Sequence, residues 1–200
     1  HLRLRGGDAV AKYSLSVGYT NQSGAIDNSK YERFTARFNL DYKVNRKLTI
    51  LNTVAYSHSG KKVLDEGNAP ETNPLYLATL KSPVLTVWSQ DLAGTNLSAV
   101  DSADYAGKNN PWAVVNKMKN INSSNRIMAG ITGKYILSPF LTVSSGLFAD
   151  YVRLNETRFR PGAGFMPEEE IIRSASENNS SEFMLLNENS LHFNKVFGKH

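Results

Sequence analysis

Cysteine is absent from this 200-residue chain. That excludes a disulfide scaffold, a thiolate-ligated metal and thiol catalysis. Also missing is any apolar run near the eighteen residues a membrane helix needs, so helical spanning is excluded. Basic residues outnumber acidic ones, 23 to 18, but they are scattered, without a basic stripe or a recognition motif. Nucleic acid is therefore not an expected partner. The four histidines, His1, His58, His192 and His200, have no metal-ligand spacing and no acidic partner in a motif. No Gly-x-Ser-x-Gly elbow occurs, and Ser57-His58-Ser59 does not make one. Asp101 and Asp104 lack an EF-type loop, and Glu168-Glu169-Glu170 has the character of a solvated charge run. No enzyme, no metal and no cofactor are expected. The 40% share of apolar residues is that of a soluble protein. It does not speak against membrane-crossing strands, which alternate and never show a continuous apolar run.

Alternation is what this chain has. In the stretch Tyr31–Tyr56, Phe34, Ala36, Phe38, Leu40, Tyr42 and Val44 fall on one face of a strand. Arg33, Thr35, Arg37, Asn39, Asp41 and Lys43 fall on the other. Asn45-Arg46-Lys47 reverses the chain, and Leu48, Ile50, Val54 and Tyr56 form a second apolar row that Asn52 interrupts. The apolar face of this hairpin must lie against a protein core or against lipid.

The same reading along the chain gives strands near residues 1–6, 11–20, 31–44, 48–57, 126–137, 141–152 and 181–197. Between them the connections sort by length. They are short at 7–10, 45–47 and 138–140, and extended at 21–29, 58–124 and 153–180. Alternating tight and long connections mark an up-and-down transmembrane barrel with its tight turns on one side of the membrane. A soluble sandwich has no reason to sort its loops this way. The expected fold is all-β, an antiparallel up-and-down transmembrane β-barrel. Seven strands is an odd number, and bacterial single-chain barrels use even numbers, so a fragment is expected. The missing initiator methionine and the abrupt stop at Gly198-Lys199-His200 point the same way. Tyr13, Tyr19, Tyr42, Tyr56, Tyr135 and Tyr151, near strand ends, suit two interfacial girdles. Tyrosine also simply favours strands.

The 58–124 excursion carries Pro70, Pro74, Pro83 and Pro111, with a short helix expected around Pro74–Leu80. Its aromatics Trp88, Trp112, Tyr76 and Tyr105 are candidates for touching a sugar or a protein lid. The alternative for each is packing of the loop against itself. A competing reading of the whole chain is a soluble all-β carbohydrate-binding module. It requires Tyr13, Val17, Phe34, Phe38 and Leu40 to be buried between sheets, whereas a barrel exposes them.

Certain stretches resemble a known family. Lys12-Tyr13-Ser14-Leu15-Ser16-Val17-Gly18-Tyr19-Thr20-Asn21-Gln22-Ser23-Gly24 is similar to the "YYLSLGYxNQxG" strand of SusC/RagA-type TonB-linked outer-membrane transporters of the Bacteroidetes. Asn28-Ser29-Lys30-Tyr31-Glu32-Arg33 and Arg37-Phe38-Asn39-Leu40-Asp41-Tyr42 resemble the family's loop end and returning strand. Gly6-Gly7, the segment Ser82-Pro83 to Gly94, Asn110-Pro111-Trp112-Ala113 and the terminal Phe193–His200 resemble further elements, in the same order. The plug domain, TonB box and N-terminal extension of that family have no counterpart here. The resemblance implies a multi-pass outer-membrane importer of oligosaccharides, or of peptides, energised through TonB. It also implies a SusD-like lipoprotein lid and outer-membrane lipid around the wall. Arg33, Arg37, Asp41, Lys43 and Lys134 would then face the water-filled lumen or the plug, because a charge facing lipid at mid-membrane costs about 2–4 kcal/mol.

Overall fold

The computed structural model describes residues 1–82, 86–90, 92–94, 96–100, 109–161 and 173–198. Seven strands form one antiparallel sheet in chain order: β1 (Leu2–Gly7), β2 (Ala11–Ser23), β3 (Lys30–Lys43), β4 (Leu48–Lys62), β7 (Lys119–Ser138), β8 (Leu141–Arg160) and β9 (Ser174–Phe193). Between β4 and β7 lie the helix α1 (Pro74–Leu80), a separate two-stranded ribbon of β5 (Trp88–Gln90) and β6 (Asn96–Val100), and the helix α2 (Pro111–Lys117). The sheet is not closed, and β1 and β9 are its edges.

The tight reversals are built by side chains that take the place of backbone acceptors. Asp8 accepts from the Val10 and Ala11 amides, both at 2.8 Å. Gly7 before it sits at φ 140°, open to glycine at no steric cost. Asn45 accepts from the Lys47 and Leu48 amides at 2.8 and 2.9 Å. The amide bonds from Ala11 and Val10 hold the Asp8 carboxyl below its ordinary value of 3.8. A depressed carboxyl stabilises the folded turn above the unfolded value, and that contribution is lost as pH falls through the folded one. The Val10 and Ala11 amide proton shifts are therefore expected to titrate together with a midpoint below 3.8. In Asp8→Asn, which keeps the acceptor and removes the charge, that titration is expected to vanish.

Register carries the alternation across the whole sheet. One row runs Leu15, Phe38, Val54, Ala129, Ala149, Leu185 from β2 to β9. The row beside it runs Val17, Ala36, Tyr56, Ile127, Tyr151, Phe183. Among the described residues, no other element packs over this face. Tyr13 is 49% exposed, Phe34 38%, Phe38 40% and Leu185 60%, with Val17 and Leu40 half-buried. No second sheet packs on it among the described residues. The sandwich required by a soluble carbohydrate-binding module is therefore absent, and the barrel-wall expectation stands.

Several strands run further than alternation indicated. β4 reaches Lys62, β7 begins at Lys119, β8 reaches Arg160 and β9 begins at Ser174, where irregular chain was expected at 58–124 and 153–180. β9 stops at Phe193, short of the expected 197. The reason is physical. Twenty residues at about 3.3 Å each, tilted about 45°, rise roughly 47 Å, against an apolar band of roughly 25 Å. The surplus lies beyond the length such a band needs, and there most residues are polar on both faces. Asn120, Asn122, Ser123 and Asn125 on β7 are of this kind; backbone pairing holds them in the sheet, and Asn125 also accepts from the Tyr56 hydroxyl at 3.0 Å. Connections of three, four and two residues lie at one end of the sheet, and 24–29, 63–118 and 161–173 at the other. Among the described residues, the buried apolar cluster is in neither face of the sheet. It is Leu77, Ala113, Val114 and Met118, between α1 and α2.

Candidate functional site

Two regions carry candidate chemistry, the excursion above the wall and the polar face below it.

Both excursion helices begin with Asn-Pro. Asn73 accepts from the Leu75 and Tyr76 amides at 3.1 and 3.2 Å, and Asn110 from Trp112 at 3.0 Å. Proline at the first helical position has no amide to leave unpaired. Asn110 is almost fully buried and also donates to the Val87 carbonyl at 3.0 Å, tying α2 to the chain before β5. Asn109 donates to the Glu71 carbonyl at 2.8 Å. Asp65 then fastens the excursion to the wall: it is ion-paired with Arg158 on β8 and accepts from Asn120 on β7 at 3.3 Å. Asn110→Ala is expected to cost about 1 kcal/mol from the lost cap, and more if the Val87 carbonyl stays unpaired. Faster amide exchange confined to α2 and residues 86–88 would register it.

Trp88 and Trp112 pack against each other in a tilted pair, with ring centroids 4.8 Å apart and planes at 57°. Lys117 lies over the Trp112 ring at 5.7 Å. Both rings are half-buried and pack against each other within the excursion. Trp112 also lines a cleft of about 270 Å³ between the helices and the 24–29 loop, and Asn28 of that loop donates to Asn116 of α2 at 2.7 Å. Tyr76 is 43% exposed, next to exposed Leu75 and Leu80. Tyr105 lies outside the described residues. The second helix was missed by alternation and composition alone, yet Asn110-Pro111 is the same start signal as Asn73-Pro74.

On the sheet, Arg33, Arg37, Asp41, Lys43 and Lys134 share the polar face. Lys43, Thr49 and Lys134 stand in one row across β3, β4 and β7. What alternation within single strands did not bring out is the company these charges keep. Register sets Arg3 of β1 opposite Ser16 and Ser16 opposite Arg37, with Arg5, Ser14 and Asn39 in the next row. Arg3, Arg5, Arg33 and Arg37 thus surround a recess of about 390 Å³, floored by Ser14, Ser16, Thr35, Asn39 and Ser57. No carboxylate lines it. A fifth arginine, Arg126, reaches its rim but is held bidentate by Asp150, with Nε at 2.9 and 3.1 Å from the two carboxylate oxygens.

Beside this recess, still on the polar face, is a mainly apolar hollow of about 350 Å³ lined by Ala55, Met128, Phe148, Met184 and Leu186, with Arg37, Thr53 and Asp150 also on its wall. Two glycines shape it. A Cβ on Gly130 would stand 2.5 Å from the Phe148 ring and one on Gly146 2.7 Å. The bare backbone there lets the ring lie down on the sheet. Arg37, Ala55 and Met128 belong to both cavities, which are therefore neighbours.

No family model matches the chain, and no curated protein matches its sequence. Among solved structures it is similar to the RagAB peptide importer in the closed-closed state, with a TM-score of 0.73 at 13% identity, over 98% of this chain and 22% of that one. It is also similar to a RagAB peptide transporter structure, with a TM-score of 0.57 at 12% identity, over 92% and 21% of the two chains. The chain spans about a fifth of the length of the structures it matches. At that identity the likeness carries the fold: this is an open, seven-stranded section of a β-barrel wall of the kind found in those transporters.

Proposed function

We propose that the chain is part of the wall of an outer-membrane nutrient importer, driven through TonB and working with a SusD-like surface lipoprotein. The observation that carries this reading is the uncovered apolar face spanning β2 to β9, backed by a charged and hydrated face. Such a sheet is stable only with lipid on one side and water on the other. The fold likeness to solved importers supports it, as do the motifs resembling the SusC/RagA family. The cargo is an oligosaccharide or a peptide, and the role is transport without catalysis. The excursion, with exposed Tyr76 and Leu75, is the surface offered to the lipoprotein.

The test is growth of a strain deleted for the full-length gene on single glycans and on peptides. Growth on one polymer should be lost, and restored by the intact gene but not by a version lacking its TonB box. Unchanged growth on every substrate would overturn nutrient import while leaving the barrel fold untouched.

A further inference from the structure

Resting on the membrane placement in the reading above, we propose that Arg153 and Asn125, on the apolar face of the wall, bind the phosphate of a lipid headgroup at the rim nearest the long connections. Both lie in the middle of the sheet, on β8 and β7, and both neighbours of each strand are present. Register sets His58 opposite Asn125 and Asn125 opposite Arg153. The row continues to Phe34 and Tyr19 on one side and Ser181 on the other, and it holds no carboxylate. Two residues along each strand towards the tight turns, the same face carries Ala36, Tyr56, Ile127, Tyr151 and Phe183. The face therefore changes from aromatic and apolar to polar and basic between these two rows.

The depth of that change points to the ligand. On β8 the apolar face runs ten steps from Leu141 to Tyr151, which at about 3.3 Å each and a tilt of about 45° rise roughly 23 Å. That is close to an apolar band of roughly 25 Å, so Arg153 stands where acyl chains give way to headgroups. Tyr151 and Ile127, both exposed, lie below it for the chains, and tyrosine suits such a boundary. Asn125 is positioned from the other side. Its Oδ1 accepts from the Tyr56 hydroxyl at 3.0 Å and lies 2.9 Å from His58 Nδ1. With the oxygen engaged, its NH₂ group is what Asn125 has left to offer, as two donors. Arg153 is exposed and adds a planar fork of donors that meets two phosphate oxygens at once. Glu32, a carboxylate of the same face on β3, is already ion-paired with Lys30. An anion at this rim thus meets a cation and amide donors, with an apolar surface beneath for the chains it carries.

Photolabelling of the intact full-length transporter in phosphatidylcholine vesicles tests this. Two probes carry the same diazirine in the acyl chain and are added in turn at the same small fraction, phosphatidic acid and diacylglycerol. Mass spectrometry reads adducts on the peptides around Tyr56, Ile127 and Tyr151. Phosphatidic acid is expected to label them about tenfold more than diacylglycerol, the effect of one charge-assisted contact. In Arg153→Gln that ratio should fall to within about twofold. Arg153→Lys should keep part of it. Asn125→Ala and His58→Ala should lower it less than Arg153→Gln, with labelling by diacylglycerol unchanged. Heat-modifiable gel mobility establishes that each variant barrel has assembled. Inorganic phosphate added to the wild type should leave the ratio as it is. If it abolishes the excess, the site takes the free ion and the lipid assignment falls. Equal labelling by the two probes, or a preference that survives Arg153→Gln, would overturn the proposal and leave the wall in lipid. Absence of adducts with both probes would overturn the membrane placement as well.

Discussion

Val54→Arg is expected to cost the barrel about 2–4 kcal/mol, roughly 30- to 900-fold in the ratio of assembled to unassembled protein. Val54 is 48% exposed, at the centre of the row from Leu15 to Leu185, with Phe38 and Ala129 directly opposite on the neighbouring strands. On the membrane reading, a guanidinium there has lipid in front of it and reaches water only by distorting the sheet. Leu51→Arg is the control. It makes a comparable change three residues away, but on the polar face and directly opposite Asp41. It should fold with a loss several times smaller. Unfolding of the purified full-length barrel in detergent or lipid vesicles, followed by gel mobility, measures both. Equal losses would mean that the two faces do not see different solvents, and the membrane reading would fall.

The second large effect is expected in the excursion. Leu77 is fully buried against Ala113, Val114 and Met118, and this cluster is what ties α1 to α2. Leu77→Ala removes most of a buried side chain and leaves a cavity, costing about 2–5 kcal/mol. Each helix has only seven residues, too few to persist without that packing. The loss should therefore appear as local opening of 63–118, seen as rapid exchange of the α1 and α2 amides and as new protease cleavage there. The wall strands should remain protected, since their stability comes from ladder pairing and solvent on either side. If the lipoprotein contacts this surface, its binding should weaken in the same variant while the Arg33 and Arg37 recess is unaffected. Global unfolding of the barrel would show instead that the excursion is part of the wall's own stability.

The parts of this structure that could be read in advance are those whose two faces differ. Phe34 to Val44 alternates between an apolar face and a charged one, as a wall between two solvents requires. The strands became illegible where both faces are mostly polar, as at Asn120–Asn125 and Ser174–Ser180, because no pattern distinguishes a strand there from a loop. Phe193-Asn194-Lys195-Val196-Phe197 misled in the opposite sense: its aromatics continue the alternation after backbone pairing has ended. In the excursion, Asn73-Pro74 announced its helix, whereas Asn110-Pro111 was noted for its family likeness and not as a cap.

The sequence by itself determined the all-β class, the sorting of tight and long connections, and the side of each strand on which Arg33, Arg37, Asp41, Lys43 and Lys134 stand. These are local matters, settled by a period of two and by turn chemistry. Only the tertiary structure decided which residues of different strands become neighbours. Basic residues scattered through the chain converge as Arg3, Arg5, Arg33 and Arg37 because the β1–β2–β3 register sets Ser16 between Arg3 and Arg37. Trp88 and Trp112, 24 positions apart, pack against each other because the Asn110 side chain holds the Val87 carbonyl. Phe148 lies flat because Gly130, on another strand, leaves room for it. Each of these depends on pairing between segments distant along the chain, and no single strand's pattern contains it.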